Sequence, residues 1–195
     1  EAIRTAPFWL LTLMVTVSAV AITGVTFHMV PHFSDVGISD TVAASTISAS
    51  EFTSMASVFV WGVLADRLGA KQMLLGALFS LGLGAFLVAR ADTATDAYVG
   101  AGIFGVGMGG FVLLSEVVWA SFFGRKYLGS IRGAGMVLQL GGNACGSLIA
   151  AFLYDLRGNY QDAFKVVMAA LTASFVMLLL AKRPRPGTTE AHQLQ

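Results

Sequence analysis

The sequence predicts an all-α membrane protein of six transmembrane helices, arranged as two inverted three-helix repeats. Three observations lead there. Apolar residues make up 56% of the 195 positions and charged ones only 12%, with a mean hydropathy of +0.75, against about 25% charged in an ordinary soluble domain. The apolar residues gather into six runs, each close to the roughly 20 residues that a bilayer crossing needs. The remaining charges fall mostly between runs, and their character alternates from one connection to the next. Six buried helices of a soluble protein would need polar faces, and almost no run has one. The net charge of +1 carries no signal for nucleic acid.

The runs, in order, are 8–30, 41–65, 72–89, 97–123, 133–154 and 163–181. The first ends just before Pro31. The second closes in Gly62-Val-Leu-Ala-Asp66-Arg67-Leu-Gly69-Ala-Lys71, a charged, glycine-punctuated turn that leads straight into the third. The fourth and fifth share a glycine-rich stretch between Gly100 and Gly146. In it, Gly105-x-x-x-Gly109 and Gly142-x-x-x-Gly146 read as small-residue surfaces for close helix packing. Gly105-Val-Gly107-Met-Gly-Gly110 matches a dinucleotide-binding pattern by letter, but no strand precedes it. Cys145, the single cysteine, forms no internal disulfide and reads as a small packing residue. The sixth run is uninterrupted only from Val166, so Lys165 must snorkel toward the surface.

Basic residues cluster at Arg4, at Arg67 and Lys71, at Arg125, Lys126 and Arg132, and at Lys182, Arg183 and Arg185. The other connections carry Arg90, Arg157 and Lys165 beside the acids Asp35, Asp40, Asp92, Asp96, Asp155 and Asp162. By the positive-inside rule both ends face the cytoplasm. No signal-peptide pattern opens the chain, which reads as a piece of a longer one. Residues 1–186 form the six-helix unit, and 187–195 are expected to be a disordered cytoplasmic tail.

Leu64-Ala-Asp66-Arg-Leu-Gly69 is echoed by Leu153-Tyr-Asp155-Leu-Arg-Gly158, 89 positions on. Each copy closes the second of three spans. Because three is odd, the copies lie on opposite sides of the membrane, the trace of an inverted repeat common in secondary transporters.

The Gly62–Lys71 turn resembles the Gly-x-Leu-Ala-Asp-Arg-x-Gly-x-Lys motif of the major facilitator superfamily, in its copy between helices eight and nine. Tyr154–Phe164 resembles the connection into that superfamily's last helix, and Glu1–Trp9 the lead-in to its seventh. Phe27–Phe33 with Asp35 and Gly37, and Phe123–Gly133, are similar to the bacterial monocarboxylate or oxalate–formate branch. The resemblance implies half of a twelve-helix fold, helices seven to twelve, in the bacterial cytoplasmic membrane. It implies partners too: the lipid bilayer, a missing N-terminal six-helix half, a small solute and protons. It implies neither an enzyme nor a cofactor. Gly62, Asp66, Arg67, Gly69 and Lys71 are then conformational residues, with Asp66 accepting backbone N–H groups or pairing with a basic helix end. Gly69 permits the turn and Gly62 close helix contact; Asp155 and Gly158 are their repeat counterparts.

Charges inside a membrane cost roughly 2.5–3.5 kcal/mol on insertion scales and so point to function. Glu51, midway along the second run with Ser48 and Ser54 on its face, is expected to point inward. It is either a proton-coupling group or a protonated acid bonded to a neighbouring helix. Glu116 either gates or pairs with Arg125 or Arg132. His28 and His32, four apart, leave proton coupling, solute contact and local hydrogen bonding open, with no third ligand placed for a metal. Gln139 and Asn143 either line a pore or bond between helices. The branch is expected to offer basic residues in its eighth and eleventh helices, yet 41–65 and 133–154 hold no Lys or Arg. Either the missing half supplies the cation or the solute is no simple dianion. A monocarboxylate is the first candidate solute; an exporter of drug-like neutral or cationic solutes, or a non-transporting membrane module, is the alternative.

Overall fold

A computed structural model describes residue 3, residues 5–124 and residues 128–182, with Arg157 described by its backbone alone. Arg4, Arg125, Lys126, Arg183, Arg185 and the tail 187–195 lie outside the described residues. Six helices follow one another: α1 (Ala6–Asp35), α2 (Asp40–Leu68), α3 (Ala70–Ala89), α4 (Ala94–Phe123), α5 (Leu128–Arg157) and α6 (Gln161–Leu180). All six are long and apolar enough to cross a membrane. In lipid the backbone must satisfy its own hydrogen bonds, and an α-helix does so within one segment.

The helices overrun most of the apolar runs by a few residues. α1 continues through Pro31 to Asp35, and the turn beyond the proline is fixed by His32 and Phe33, both buried. α5 begins at Leu128, so Arg132 lies inside it.

Packing crosses between the repeats. α1 lies along α5 and α6, α4 lies along α2 and α3, and α3 meets α6. Exchanging α1–α2–α3 for α4–α5–α6 maps this pattern onto itself, as two inverted repeats require. The turns obey the same exchange. Among the described residues, the four glycines with positive φ are Gly37 and Gly124, closing the first helix of each set, and Gly69 and Gly158, closing the second. Gly69 N–H donates to Ala65 O at 2.9 Å and Gly158 N–H to Tyr154 O at 2.7 Å. Only glycine takes that left-handed conformation without steric cost.

Helices in lipid gain little by burying apolar surface against one another, so contact depends on close approach and polar bonds. A Cβ on Gly105 or Gly109 would strike Ser50 O or Ser54 O of α2, and one on Gly146 would strike Val20 O of α1. On the α2–α4 seam, Thr53 Oγ1 donates to Gly102 O at 3.0 Å, Ser57 Oγ to Val106 O at 3.2 Å and Trp61 Nε1 to Val106 O at 2.9 Å. These donors sit at i, i+4 and i+8, one stripe of α2. The dinucleotide-like glycines therefore lie in mid-helix, packed against α2 and α3, with no room for a phosphate. Cys145, by contrast, is exposed and fills no interior site; its neighbour Gly146 takes the packed position.

Adjacent glycines give a test. A Cβ at Gly142 would lie 2.8 Å from Thr16 O, whereas one at Gly141 meets nothing within 4 Å. Gly142→Leu should destabilise the purified protein by about 1–3 kcal/mol, the usual range for overpacking, and Gly141→Leu by much less. Thermal unfolding in detergent measures both, and equal shifts would refute this account of the α1–α5 seam.

Candidate functional site

Burial is uneven. The most apolar stretches of α1 and α4 are 50% and 56% buried, but those of α2 and α5 only 11% and 17%. α2 and α5 occupy equivalent places in the two repeats, so the unit leaves two related faces open. The polar residues within the spans are best read against those faces.

Glu51 is exposed on α2 and makes no hydrogen bond or ion pair among the described residues. Ser48, Ile47 and Met55 are exposed beside it and Ser54 is half-buried. Within these six helices Glu51 therefore faces away from the packed seam, and the expected bond to a neighbouring helix is not made among the described residues. The inner face of α2 is taken by Ser50, Thr53 and Ser57, whose small side chains permit the close α4 contact. A cavity of about 10 Å³ lies between Glu51, Ser50 and Ile47 on α2 and Thr26 and Met29 on α1, room for about one water molecule.

His28 is occupied locally. Its Nε2 donates to Ser147 O at 3.0 Å, which leaves Nδ1 to accept from Tyr160 Oη at 3.4 Å. His32 Nε2 donates to Val88 O at 3.2 Å, and its ring meets Phe164 at 4.9 Å between centroids. The two imidazoles thus serve different carbonyls, on α5 and α3. They pin this end of α1 to three helices. Burial, and then the Asp35 carboxylate, raise the Tyr160 phenol above its ordinary 10.0, so it remains a donor.

Near the opposite end, Glu116 and Arg132 pair across the α4–α5 seam. Arg132 Nε reaches Glu116 Oε1 and Oε2 at 2.9 and 3.0 Å, and Arg132 Nη2 also contacts Oε1. Arg132 Nη1 donates to Gln139 Oε1 at 2.9 Å, and the guanidinium lies 5.9 Å from the centroid of the Trp119 ring. The Arg132 side chain is 17% exposed and that of Glu116 50%; the cation is enclosed while the carboxylate stays open on one side. Of the two partners foreseen for Glu116, Arg125 lies outside the described residues and Arg132 is engaged. Gln139 is thereby an ion-pair ligand, and Asn143, half-buried one turn on, has no hydrogen bond among the described residues.

The glycine-punctuated turn divides its labour. Gly69 makes the turn at φ +94°. Asp66 and Arg67 are exposed and unpaired among the described residues, so neither partner expected for Asp66 is present. Lys71 takes the helix-end role instead, its Nζ donating to Leu179 O at 3.0 Å and Ala181 O at 2.7 Å. A cation there satisfies carbonyls that the last turn of α6 leaves free. Gly62 is not needed for close contact, because a Cβ there would sit at an ordinary 3.7 Å from Leu113. Asp155 and Gly158 repeat the turn at the other end, Asp155 also exposed. Sequence reasoning missed Tyr160 and the Thr53–Ser57–Trp61 stripe; the i, i+4, i+8 spacing was the available signal for the stripe.

If the pair acts as a unit, Glu116→Ala and Arg132→Ala should each lower the melting temperature in detergent. The double variant should lose less than their sum, by a coupling of about 1 kcal/mol. Strict additivity would show that the contact contributes nothing to stability.

No curated protein matches the chain. A solved structure described as an auto-inhibited peptide transporter of the POT family matches with a TM-score of 0.75 at 16% identity, over 93% of this chain and 39% of that one. That likeness concerns the fold, and the chain spans well under half of the transporter's length. The family model described as Major Facilitator Superfamily matches residues 9–194. With that match over nearly its whole length, on six membrane-crossing helices in two interlocked sets of three, the chain belongs to the major facilitator superfamily.

Proposed function

We infer that this chain is the C-terminal half of a secondary transporter that moves a small organic solute by alternating access, coupled to protons through Glu51. The observation that carries this reading is the position of Glu51: a carboxylate midway along α2, on an open face, with no partner among the described residues. An ionised carboxylate at that depth is costly, so the group favours either a proton or a cationic partner. In a full transporter the second six-helix half covers the α2 and α5 faces, and the solute binds between the halves near the midplane. As the halves rock, Glu51 takes a proton from one side and releases it to the other. The alternation of basic and acidic connections supports cytoplasmic ends on both sides of this unit, in a bacterial cytoplasmic membrane.

A monocarboxylate or related organic anion is the first candidate solute, on the motifs shared with that branch. A specific observation favours the second reading, export of neutral or cationic drug-like solutes. The one arginine within α5 whose side chain is described, Arg132, is already neutralised by Glu116, whereas Glu51 is an acid with no partner among the described residues. Asp66 and Arg67, unpaired here, are available to latch one conformation through the other half.

Glu51→Gln in the full-length transporter, reconstituted into vesicles with an imposed pH gradient, tests the coupling. Proton-driven lactate accumulation should fall to the equilibrated level while lactate exchange continues. Accumulation that persists in this variant would refute Glu51 as the proton site. Wild-type vesicles that carry no carboxylate but expel an organic cation would decide for the second reading.

A further inference from the structure

The α3–α6 seam holds an open apolar groove of about 360 Å³, lined by none of the candidate site residues described above. Leu78 and Phe86 line it from α3, and Met168, Thr172 and Phe175 from α6. Its space comes from Gly82, where a Cβ would meet nothing within 4 Å.

The depth of this groove is informative. The 20 residues of α3 rise about 30 Å at 1.5 Å each, the thickness of the hydrocarbon core. Leu78 is then near the midplane, and Arg90, just past the helix end, lies about 18 Å beyond it at headgroup level. The α3 wall of the groove therefore occupies one leaflet, from the midplane to a cation. Arg90 stands over the Phe86 ring, 5.4 Å from Cζ to centroid. It has no carboxylate partner among the described residues, whereas Lys165, at the same end of the bundle, is held by Asp162 at 2.7 Å.

We propose that this groove is a phospholipid site, with one acyl chain between α3 and α6 and the phosphate on Arg90. An apolar channel of leaflet depth fits an acyl chain, and a guanidinium matches a phosphate in geometry as well as charge. The single polar side chain of the wall, Thr172, returns its hydroxyl to Met168 O at 2.8 Å and asks nothing of the ligand. The site is independent of the solute reading: it lies on α3 and α6, whereas the candidate solute residues lie on α1, α2, α4 and α5.

The test uses the intact polypeptide, delipidated in detergent and titrated with palmitoyl-oleoyl phosphatidylglycerol or the corresponding phosphatidylcholine, with bound lipids counted by native mass spectrometry. One phosphatidylglycerol should bind at least tenfold more tightly than those that follow. Gly82→Phe fills the groove and should abolish that step, and Thr172→Phe does the same from α6 should the first variant fold poorly by circular dichroism. Arg90→Gln should weaken the step about tenfold and erase the preference for the anionic lipid. Unchanged binding in the folded groove-filling variants overturns the proposal. So does lipid uptake without a saturable tight step, the result expected if other helices of the protein cover the groove. Loss of the step in Gly82→Phe with full retention in Arg90→Gln overturns it as well, because the phosphate would then lie elsewhere.

Discussion

The membrane withholds water from the backbone, and the rest of this structure depends on that constraint. Each helix satisfies its own N–H and C=O groups, so the helices cannot gain association energy by drying apolar surfaces that are already in oil. What remains is close approach and the occasional bond to a carbonyl. The α2–α4 seam uses both: glycines of α4 meet serine carbonyls of α2, and Thr53, Ser57 and Trp61 donate into α4. The α1–α5 seam relies more on approach, through Gly142 and Gly146, with His28 to Ser147 O as its bond to a carbonyl. Thr12, Thr16 and Ser18 of α1 keep hydroxyls that find no partner in it. The two seams are equivalent under the repeat but not equal in polar bonding, which makes the α1–α5 side the less firmly tied of the two.

The repeat also explains where polar residues can survive. The first helix of each set packs on the second and third of the other, so α1 and α4 are enclosed and α2 and α5 are left at the flanks. Charge follows that division. Near the ends part of it is neutralised within the unit, by Glu116 on Arg132 and by helix-end carbonyls on Lys71. At the open face of α2 it is not. Two apolar-looking helices of similar length therefore differ in purpose, one built to be surrounded and the other to meet something.

Much of this was legible in the sequence because it is governed by length and periodicity. Six runs gave six helices, and the echo at Leu64–Gly69 and Leu153–Gly158 marked two turns that share a positive-φ glycine and its i−4 bond. The Glu116–Arg132 contact was within reach because two opposite charges near one membrane end have few other partners. What was not legible is direction. α2 carries serines and threonines on several sides, so the Thr53–Ser57–Trp61 spacing does not by itself say whether the Glu51 side or the Ser50 side faces α4; the glycines of α4 decide it. Asp66 and Lys71 posed the same difficulty. Either could bond to a helix end, and only the position of the α6 terminus beside Lys71 selects between them. Tyr160 escaped notice because its partner His28 is 132 positions away.

The distribution of unsatisfied groups bears on whether the unit is complete in itself. A self-contained bundle would bury or pair its mid-membrane acid, since one hydrogen-bonding neighbour offsets much of the cost of holding a carboxyl group in oil. Here small serines take the buried positions of α2, and Glu51 is placed where six helices offer it nothing. The exposed, unpaired Asp66 and Arg67 at the end of the same helix follow suit. Three ionisable residues on one helix, at the midplane and at the interface, are thus kept off the internal contacts that hold the bundle together. That arrangement costs stability in isolation and suits a helix that meets a further surface, as the function proposed above requires. On that proposal the surface is a second six-helix half, whose motion against this one gives an open carboxylate something to do that a buried one could not.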